Sequence, residues 1–262
     1  MGLSFSFCTT VYNSVESIER FIKALSQSKK SFEIIIVDNV SDDGTAEILA
    51  NHSNITVIEQ KCARGKGRQI AIEKAKNDVI VMLDADVEYS NLDWLLDQYE
   101  KSGNTEMLWN AVTPTGAGTI PVVIVKRDLI IRIGGYPDIN AAEDSYIRLL
   151  SEKLGIYYRI KVPIGYFTPL SVRGFSSGEE SRYTKSVLGR LVRRILFTRD
   201  TLFVHDYSLR ELLAFYKLKG MGGWLIGFVE YVVGKFFLLF MSEESVSSRT
   251  HRLMNMSNDL RK

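Results

Sequence analysis

The sequence predicts an α/β protein whose first two thirds form a doubly wound, mostly parallel sheet. Short apolar runs alternate with segments of helical spacing, which is the order expected of βαβ units. The run 79–83 is apolar throughout, as in a strand that is covered on both faces. In such sheets ligands bind beyond the carboxyl ends of the strands. Acidic residues that follow these strands are therefore the first candidates for a functional site.

The predicted elements can be placed in order from their spacing. Apolar residues recur at positions 15, 18, 21, 22 and 25, which is the periodicity of a helix. The β-branched runs predict strands, and polar turns separate them from the helices that follow. The predicted strands are 3–10, 32–37, 55–59, 79–83 and 120–125, and the predicted helices are 15–25, 45–51, 67–76, 127–133 and 142–154.

Bulk properties describe an ordinary globular chain. Of its 262 residues 45% are hydrophobic and 24% are charged, and the net charge of +2 gives no argument for a nucleic-acid partner. Cys8 and Cys62 lack metal-cluster spacing and favour a reducing compartment. We expect a catalytic domain at 1–180, membrane-associating helices at 181–241 and a polar tail at 242–262.

The C-terminal third combines a basic segment with a long apolar run. The basic residues of 182–199 lie opposite aliphatic ones at helical spacing; such a helix lies in a membrane interface or packs as an ordinary surface helix. The run 220–241 is long enough to span a bilayer, but it contains Glu230 and Lys235. We expect a peripheral, interfacial region at the cytoplasmic face of the membrane, with a single C-terminal span as the alternative.

Asp84 and Asp86 flank one alanine directly after the apolar run 79–83. Unpaired carboxylates in a partly buried cleft are unfavourable. Mg²⁺ and Mn²⁺ prefer oxygen ligands, and Mg²⁺ typically takes one or two carboxylates together with substrate phosphates. The pair therefore indicates a divalent-cation site. A solvated strand end or a helix cap is the alternative, and the two residues alone leave both interpretations open.

Two further polar segments follow predicted strands. Asp38 closes the strand 32–37 and can accept hydrogen bonds from a base or a ribose, whereas Asp42 and Asp43 are better explained as turn and helix-cap residues. The basic, glycine-containing loop 64–68 precedes a predicted helix, where backbone amides and the helix dipole favour a phosphate. A solvated basic turn explains that loop equally well.

Glu143 and Asp144 lie at the start of the predicted helix 142–154. The helix dipole favours acids in the first turn without any function. The functional interpretation is a general base that takes a proton from an attacking hydroxyl. Spacing alone favours the dipole explanation.

Several modest motifs occur in a family's order. Residues 8–13 match a first strand and P-T-Y-N turn with Thr10 for proline, and 33–45 match V-D-D/N-G-S-x-D-G-T with Val40 for glycine. The others are G-K-G at 65–67, D-x-D at 84–86, R-x-x-x-x-x-x-G-G-F at 127–136, E-D at 143–144 and a degraded Q-x-x-R-W at 179–183. Over about residues 4–185 the chain thus resembles the family-2 inverting glycosyltransferases of the GT-A type fold.

The resemblance implies roles for the matching residues. Those that would bind the nucleotide donor are Thr10, Tyr12, Asp38, Lys66 and Asp84. Asp86 would bind the Mn²⁺ or Mg²⁺ that bridges the diphosphate. Asp144 would be the general base and Glu143 would support it. The acceptor and phosphate side would be formed by Arg127, Arg182 and Tyr183.

The resemblance therefore implies a glycosyltransferase that moves a hexosyl group with inversion. The donor would be a UDP- or GDP-sugar, and the acceptor a glycan hydroxyl or a polyprenyl-phosphate or other lipid-linked compound at the membrane surface. One alternative is a nucleotidyltransferase. That class would require a G-x-G-T/S-x-x-R-like loop after the first strand, and residues 11–14 lack it. The other is a non-catalytic sugar- or lipid-binding scaffold, against which the intact acids argue.

Overall fold

A computed structural model of the chain describes residues 3–103, 105–115, 119–140 and 142–169, together with 232, 233, 235 and 236. Its strands are β1 (Ser4–Val11), β2 (Ser31–Asp38), β3 (Ile55–Glu59), β4 (Val79–Leu83), β5 (Val87–Tyr89), β6 (Leu108–Val112), β7 (Thr119–Lys126), β8 (Tyr157–Lys161) and β9 (Phe167–Pro169). Its helices are α1 (Ile18–Leu25), α2 (Thr45–Ala50), α3 (Arg64–Lys74), α4 (Leu92–Ser102), α5 (Arg127–Arg132) and α6 (Glu143–Lys153).

The central sheet has seven strands in the order β3-β2-β1-β4-β7-β6-β8. β1 runs parallel to β2 and β4, β2 runs parallel to β3, and β6 runs parallel to β8. Only β7 is reversed within this sheet, because it pairs antiparallel with both β4 and β6. A separate antiparallel pair joins β5 to β9. The predicted α/β fold with a mostly parallel sheet is thus confirmed.

The two faces of the sheet have separate hydrophobic cores. In β2, Ile34 and Ile36 belong to the core that includes α1, whereas Ile35 and Val37 belong to the core that includes α3. This alternation follows from the two-residue period of a strand. Each fully buried aliphatic side chain of this size contributes about 1.5–3 kcal/mol relative to exposure. Because both faces are covered by helices, a dense run of β-branched residues is the expected sequence of β2.

Most predicted elements are present, and two strand predictions, 55–59 and 79–83, are confirmed at both ends. The segment 64–68 was expected to be a loop, but helix α3 already begins at Arg64. Strand β6 was not predicted from the sequence, and β7 begins at Thr119, one residue before the predicted strand 120–125. The sequence interpretation also missed helix α4, whose apolar positions pack into the core.

The region expected to associate with a membrane lies almost entirely outside the described residues. Of 181–241 the structure describes four residues, and of 242–262 it describes none. Within the described part of the chain, no helix has the length and apolar character needed to cross a bilayer. The boundary at residue 180 and the membrane association stay predictions.

Candidate active site

Acidic residues gather at the carboxyl edge of the parallel strands. Asp38 is the last residue of β2, and Asp84 directly follows β4. Strand β1 lies between them, so at the usual strand spacing their backbones are about 10 Å apart. Both residues therefore lie at the same edge of the sheet, as the sequence predicted.

The guanidinium of Arg68 lies at the centre of this acidic group. Nη2 donates to Oδ1 of Asp84 at 2.6 Å, and Nη1 donates to Oδ1 of Asp144 at 2.8 Å. Oε1 of Glu143 lies 3.5 Å from Nη2. Arg68 itself is 4% exposed. Three carboxylates thus surround one buried cation, which holds the end of β4 against the start of α6.

Electrostatics keep Arg68 charged in this position. Burial alone lowers its pKa, but the charges of Asp144, Asp84 and Glu143 outweigh burial and hold the pKa well above the usual arginine value. The guanidinium carbon also lies 5.5 Å from the ring centroid of Tyr136, which is within the range of a cation–π contact. Arg68 is therefore a permanent positive charge that the acids require.

Tyr89 fixes the backbone of Asp84. The amide of Asp84 donates to the Tyr89 hydroxyl at 2.9 Å, and this hydroxyl lies 3.1 Å from the Asp84 carbonyl oxygen and 3.2 Å from that of Pro121. Tyr89 is buried. The turn after β4 is therefore held from inside the protein, and the direction of the Asp84 carboxylate is set by both its backbone and Arg68.

Asp86 offers the more accessible carboxylate of the D-x-D pair. The residue is exposed, and partial desolvation together with the charge of Asp84 raises its pKa. A divalent cation would relieve this repulsion. Among the described residues, no three or more His, Cys, Asp or Glu side chains are grouped so that they could hold a metal. One accessible carboxylate beside a second one is the kind of donor set that Mg²⁺ takes together with substrate phosphates.

Glu143 and Asp144 form the first turn of α6 but differ in accessibility. The side chain of Glu143 is 2% exposed and lies 3.7 Å from Nη1 of Arg64, whereas that of Asp144 is 45% exposed. Partial desolvation of the carboxyl group raises the pKa of Asp144 to about 7; Arg68 opposes this rise, and Glu143 and Asp84 add to it. Asp144 is thus the acid that a substrate can reach, with a pKa suited to a general base.

The glycines of the G-K-G segment permit close packing of α3. A Cβ atom on Gly65 would lie 2.0 Å from the carbonyl oxygen of Pro137, and one on Gly67 would lie 2.6 Å from Oγ1 of Thr10. Real Cβ contacts do not occur at such distances. Glycine at these two positions therefore brings the first turn of α3 against β1 and the segment that precedes α6.

The first amides of α3 already have partners. The amide of Arg64 donates to Oδ1 of Asn140 at 3.1 Å, and the amide of Gly65 donates to the carbonyl oxygen of Ile139 at 2.9 Å. The sequence interpretation offered this segment as a phosphate-binding loop. These two amides tie α3 to residues 139–140 and are not available to a phosphate, whereas phosphate binding by the rest of the segment, including Lys66, stays a prediction.

The turn after β2 is ordered by Asp38. This residue is 1% exposed, and it accepts hydrogen bonds from the Ser41 hydroxyl at 2.5 Å and the Ser41 amide at 3.3 Å. Val40 has a positive φ of 57°, a conformation that a β-branched residue rarely adopts. Val40 therefore keeps the backbone shape of the glycine that usually stands in this motif.

Asp42 and Asp43 have the local roles that were favoured for them. Oδ1 of Asp43 accepts from the amide and the hydroxyl of Thr45, at 3.0 and 2.6 Å, at the start of α2. Oδ1 of Asp42 accepts from the Asn13 side chain at 2.7 Å. Both acids thus fix the loop between β2 and α2.

The other expected donor residues lie at the same edge of the sheet. Thr10 is near the end of β1, Tyr12 directly follows this strand, and Lys66 is in the first turn of α3. All three are partly buried. Their nucleotide contacts stay predictions.

Arg127 does not join this group. It follows β7 at the end of the sheet opposite to Asp84, because its amide donates to the carbonyl oxygen of Asp78, just before β4. Its side chain donates to the carbonyl oxygens of Ile72 and Glu73 at 3.1 and 3.2 Å. The structure therefore gives Arg127 a capping contact at the end of α3 in place of the expected acceptor contact. Arg182 and Tyr183 lie outside the described residues.

A cavity of about 270 Å³ opens beside Asp144, between α6 and the sheet. Two arginines line it, Arg68 and Arg148, together with Asp84 and Asp144. The rest of its wall is mixed: Met82, Leu108, Pro121, Val123 and Ile147 are apolar, whereas Asn110, Ser145 and Tyr157 carry polar groups. The cavity thus joins the acidic edge of the sheet to a small, partly polar space.

Sequence reasoning missed Arg68 and Tyr89 as site residues. Arg68 was included in the basic segment, but its partners are distant in sequence, and no local spacing links it to Asp84 and Asp144. The only available signal was an arginine on the second turn of a helix that begins with the G-K-G segment. Tyr89 gave no signal, since one aromatic residue after a D-x-D turn is ordinary.

Comparison with known sequences shows one family. The sequence model described as "Glycosyl transferase family 2" matches residues 6–136, which is half of the chain. The match includes most of β1, all of β2 to β4, the D-x-D pair and Tyr136. It ends before Glu143 and Asp144, so the roles of these two acids stand on the structure and the motif order alone.

Curated relatives share the N-terminal part of the chain. The poly(ribitol-phosphate) β-N-acetylglucosaminyltransferase TarS of Staphylococcus aureus is 28% identical over 104 residues, covering 36% of this chain and 18% of TarS. The undecaprenyl-phosphate 4-deoxy-4-formamido-L-arabinose transferase of Proteus mirabilis is 36% identical over 89 residues, covering 30% of this chain and 27% of that protein. The chain thus spans well under half the length of these relatives.

Solved structures share the fold. The mannosyltransferase PcManGT of Pyrobaculum calidifontis, in complex with GDP-Man and Mn²⁺, has a TM-score of 0.55 at 16% identity, covering 99% of this chain and 87% of that one. A structure of S. aureus TarS residues 1–349 with UDP-GlcNAc gives the same TM-score and identity, covering 97% and 89%. At this level of identity the likeness shows the fold.

Proposed function

The chain belongs to glycosyl transferase family 2, and from that premise we propose that it transfers a sugar from a nucleoside-diphosphate sugar to an acceptor, with inversion at the anomeric carbon. The observation that carries the proposal is the contact of Arg68 with both Asp84 and Asp144. It holds the D-x-D turn beside an accessible carboxylate with a raised pKa. The same site therefore contains a donor side, which would bind the nucleotide sugar, and a base side, which would deprotonate the acceptor.

The donor side is formed by the carboxyl ends of β1, β2 and β4. We assign the base and ribose of the donor to Thr10, Tyr12 and Asp38, and the phosphates to the region of Lys66 and the D-x-D turn. Two solved structures of the same fold hold UDP-GlcNAc and GDP-Man, which supports a UDP- or GDP-sugar as donor. The assigned donor residues lie at the carboxyl ends of the parallel strands, which is where α/β sheets generally bind their ligands.

A divalent cation, Mn²⁺ or Mg²⁺, would be held by Asp86, with Asp84 close by. When bound, such an ion neutralises the charge that develops on the departing nucleoside diphosphate. Asp84 already accepts from Arg68 at 2.6 Å, so Asp86 is the carboxylate with room for the ion. PcManGT was solved with Mn²⁺, which supports this cofactor class.

The base side is Asp144. Its carboxylate takes the proton from an acceptor hydroxyl as the hydroxyl oxygen bonds to the anomeric carbon. The bond from that carbon to the diphosphate oxygen breaks in the same displacement, and the nucleoside diphosphate leaves. Arg68 orients Asp144, and the buried Glu143 balances the charge of Arg68. A single displacement of this kind inverts the anomeric configuration.

The acceptor is a hydroxyl compound or a lipid phosphate at a membrane surface. The undecaprenyl-phosphate transferase of P. mirabilis matches this chain in sequence, and its name supports the lipid-linked class. A phosphate acceptor is already ionised, so Asp144 would then mainly position it. Association with the cytoplasmic face of a membrane, through residues 181–241, belongs to the same proposal.

A donor screen tests the function directly. The full chain is incubated with Mn²⁺ and a panel of UDP-, GDP- and dTDP-sugars, and released nucleoside diphosphate is measured. We expect turnover of one donor above the rate without protein, and nucleotide binding that weakens when EDTA removes the ion. The proposal is contradicted if the chain neither binds nor turns over any donor, even when membrane lipids are present.

A further inference from the structure

We propose that the cavity beside Asp144 binds a phosphate-bearing acceptor of about monosaccharide size, and that Arg148 holds its phosphate. This rests on the proposed function and specifies the acceptor class for the same site. The acceptor would be a phosphorylated polyol whose reacting hydroxyl lies about one helical turn from the phosphate.

The spacing follows from helix α6. Asp144 and Arg148 are four residues apart, and both line the cavity. Residues at this spacing lie on the same helix face, separated by about 6 Å along the axis. A phosphate at Arg148 therefore leaves a hydroxyl on the same small molecule within reach of Asp144.

The two cavity arginines differ in how firmly they are held. Arg68 is buried and makes hydrogen bonds of 2.6 and 2.8 Å with Asp84 and Asp144, so its charge is already balanced. Arg148 reaches Glu152 only through contacts of 3.3 and 3.4 Å, and its side chain is 29% exposed. Of the two, Arg148 is the cation available to a ligand.

Turning Arg148 toward a ligand leaves no acid without a partner. Oε1 of Glu152 also accepts from Nη2 of Arg159 at 3.0 Å, so Glu152 keeps one ion pair when Arg148 moves. Exposed pairs at this helix spacing stabilise a protein only slightly. A guanidinium can instead form two parallel, charge-assisted hydrogen bonds to a phosphate. This favours replacement of the Arg148–Glu152 contact by a contact between Arg148 and the phosphate.

The wall opposite α6 suits the body of a polyol. Asn110 is 7% exposed; its Nδ2 donates to the Val122 carbonyl oxygen at 2.9 Å, and its Oδ1 accepts from the Tyr157 hydroxyl at 2.8 Å. These bonds fix a polar ridge among apolar side chains. The volume of about 270 Å³ is near the lower limit of ligand pockets, which favours one ring over a longer chain segment.

Binding of glucose 6-phosphate and glucose to the full chain tests this. Ligand-observed NMR, with Mn²⁺ replaced by Mg²⁺ and with UDP or GDP present, gives both dissociation constants. We expect the wild type to bind glucose 6-phosphate at least about tenfold more tightly than glucose, in line with a charge-assisted hydrogen bond. Equal affinity, or no binding of either compound, would overturn the proposal.

Three variants assign the preference to Arg148. Arg148→Gln should abolish it, Arg148→Lys should keep part of it, and Arg132→Gln should leave it unchanged, since Arg132 is an exposed arginine on α5. An equal loss in Arg132→Gln would mean a nonspecific charge effect and would refute the site. Nucleotide binding, measured on the same samples, tests the proposed function separately: if it persists without a phosphate preference, only the acceptor proposal fails.

A further experiment tests whether the bound phosphate belongs to a lipid or to a soluble compound. Vesicles of phosphatidylcholine with phosphatidic acid are added to the complex with glucose 6-phosphate. Displacement by these vesicles, but not by phosphatidylcholine alone and not in the Arg148→Gln variant, supports a lipid-borne phosphate at Arg148. Retention of the sugar phosphate supports a soluble phosphorylated acceptor. Displacement that is the same in wild type and variant would overturn the role of Arg148.

Discussion

Nη1 of Arg68 donates a hydrogen bond of 2.8 Å to Oδ1 of Asp144, and this contact ties helix α3 to the first turn of α6. The other terminal nitrogen of Arg68 holds Asp84 at 2.6 Å. A single side chain therefore sets the distance between the D-x-D turn and the proposed base. Changes at Arg68 should affect both the stability of the fold and the geometry of the site.

Replacing Arg68 by methionine should strongly destabilise the protein. The change leaves Asp84, Asp144 and the buried Glu143 without their shared cation, and removing one partner of a buried ion pair typically costs about 3–5 kcal/mol. Urea unfolding at pH 8, compared with wild type, measures the loss. Arg132→Met is the control, because Arg132 is exposed on α5 and surface changes usually lie within about 0.5 kcal/mol.

The same variant should lose less stability at pH 5 than at pH 8. Arg68 opposes the rise in the pKa of Asp144, so without Arg68 this pKa rises further above its value in the unfolded chain. Folding then binds protons, so stability is retained near the unfolded pKa, about 4, and falls as the pH rises through the folded pKa. Unfolding measured at both pH values checks this. A loss that is independent of pH would show that packing, not charge, is the role of Arg68.

Activity should rise with pH through about 7, because partial desolvation raises the pKa of Asp144 to that value and the base must be ionised. The expected profile of kcat/KM increases about tenfold per pH unit below this pKa. Asp144→Asn keeps the shape of the side chain and should lower kcat by about 10²–10⁴-fold with a flat profile in this range. Nucleotide affinity serves as the control for an intact donor side.

A small effect of Asp144→Asn would point to a different chemistry. If kcat falls by less than about tenfold while nucleotide binding is intact, the side chain is not a general base. An acceptor whose attacking oxygen is already ionised, such as a phosphate oxygen, would give that result. The measurement therefore separates the two acceptor classes as well as testing the role of Asp144.

Asp86→Ala should weaken metal-dependent nucleotide binding by more than about tenfold, since even outer-shell partners of a bound metal affect metal affinity by 10–100-fold. Titration of UDP and GDP with and without Mn²⁺ gives the comparison, and the variant should show little difference between the two conditions. Asp128→Ala removes an exposed acid at the start of α5 and should behave as wild type. Unchanged Mn²⁺ dependence in Asp86→Ala would refute the metal role.

The sequence predicted those parts of the fold and site that depend on local pattern. The dense β-branched run of β2 and the apolar run of β4 are enough to predict buried parallel strands, and Asp38 and Asp84 follow at the same edge. Turn and helix-cap chemistry also separated Asp42 and Asp43, which fix a turn, from Asp84. Each of these predictions relies on residues that are close in sequence.

Long-range contacts and helix starts were not predictable in this way. The partners of Arg68 lie on β4 and α6, and no periodicity links three distant segments. The start of α3 at Arg64 was missed because glycines at 65 and 67 normally disfavour a helix; here tight packing on Thr10 and Pro137 requires them. Helix α4 was missed although its buried face includes Leu92, Leu95 and Leu96.

At position 40 valine replaces the glycine of the motif, but the backbone keeps the positive φ that glycine usually adopts. Val40 has a φ of 57°, although its side chain is β-branched and 42% exposed. The left-handed region typically costs a non-glycine residue about 1–2 kcal/mol. Val40→Gly should therefore raise the free energy of unfolding by about 0.5–1 kcal/mol, since part of this relief is offset by the larger entropy of glycine in the unfolded chain.

Val57→Gly is the matched control for this change. Val57 is similarly exposed, at 40%, but it lies within the edge strand β3 and not among the residues of positive φ. The same substitution should lower stability there by about 0.5–1 kcal/mol, because glycine gains nothing from an ordinary strand backbone and loses more entropy on folding. Urea unfolding of both variants against wild type decides the matter. If Val40→Gly is destabilising as well, the turn after Asp38 is not strained, and the Val40 side chain contributes to stability through its contacts.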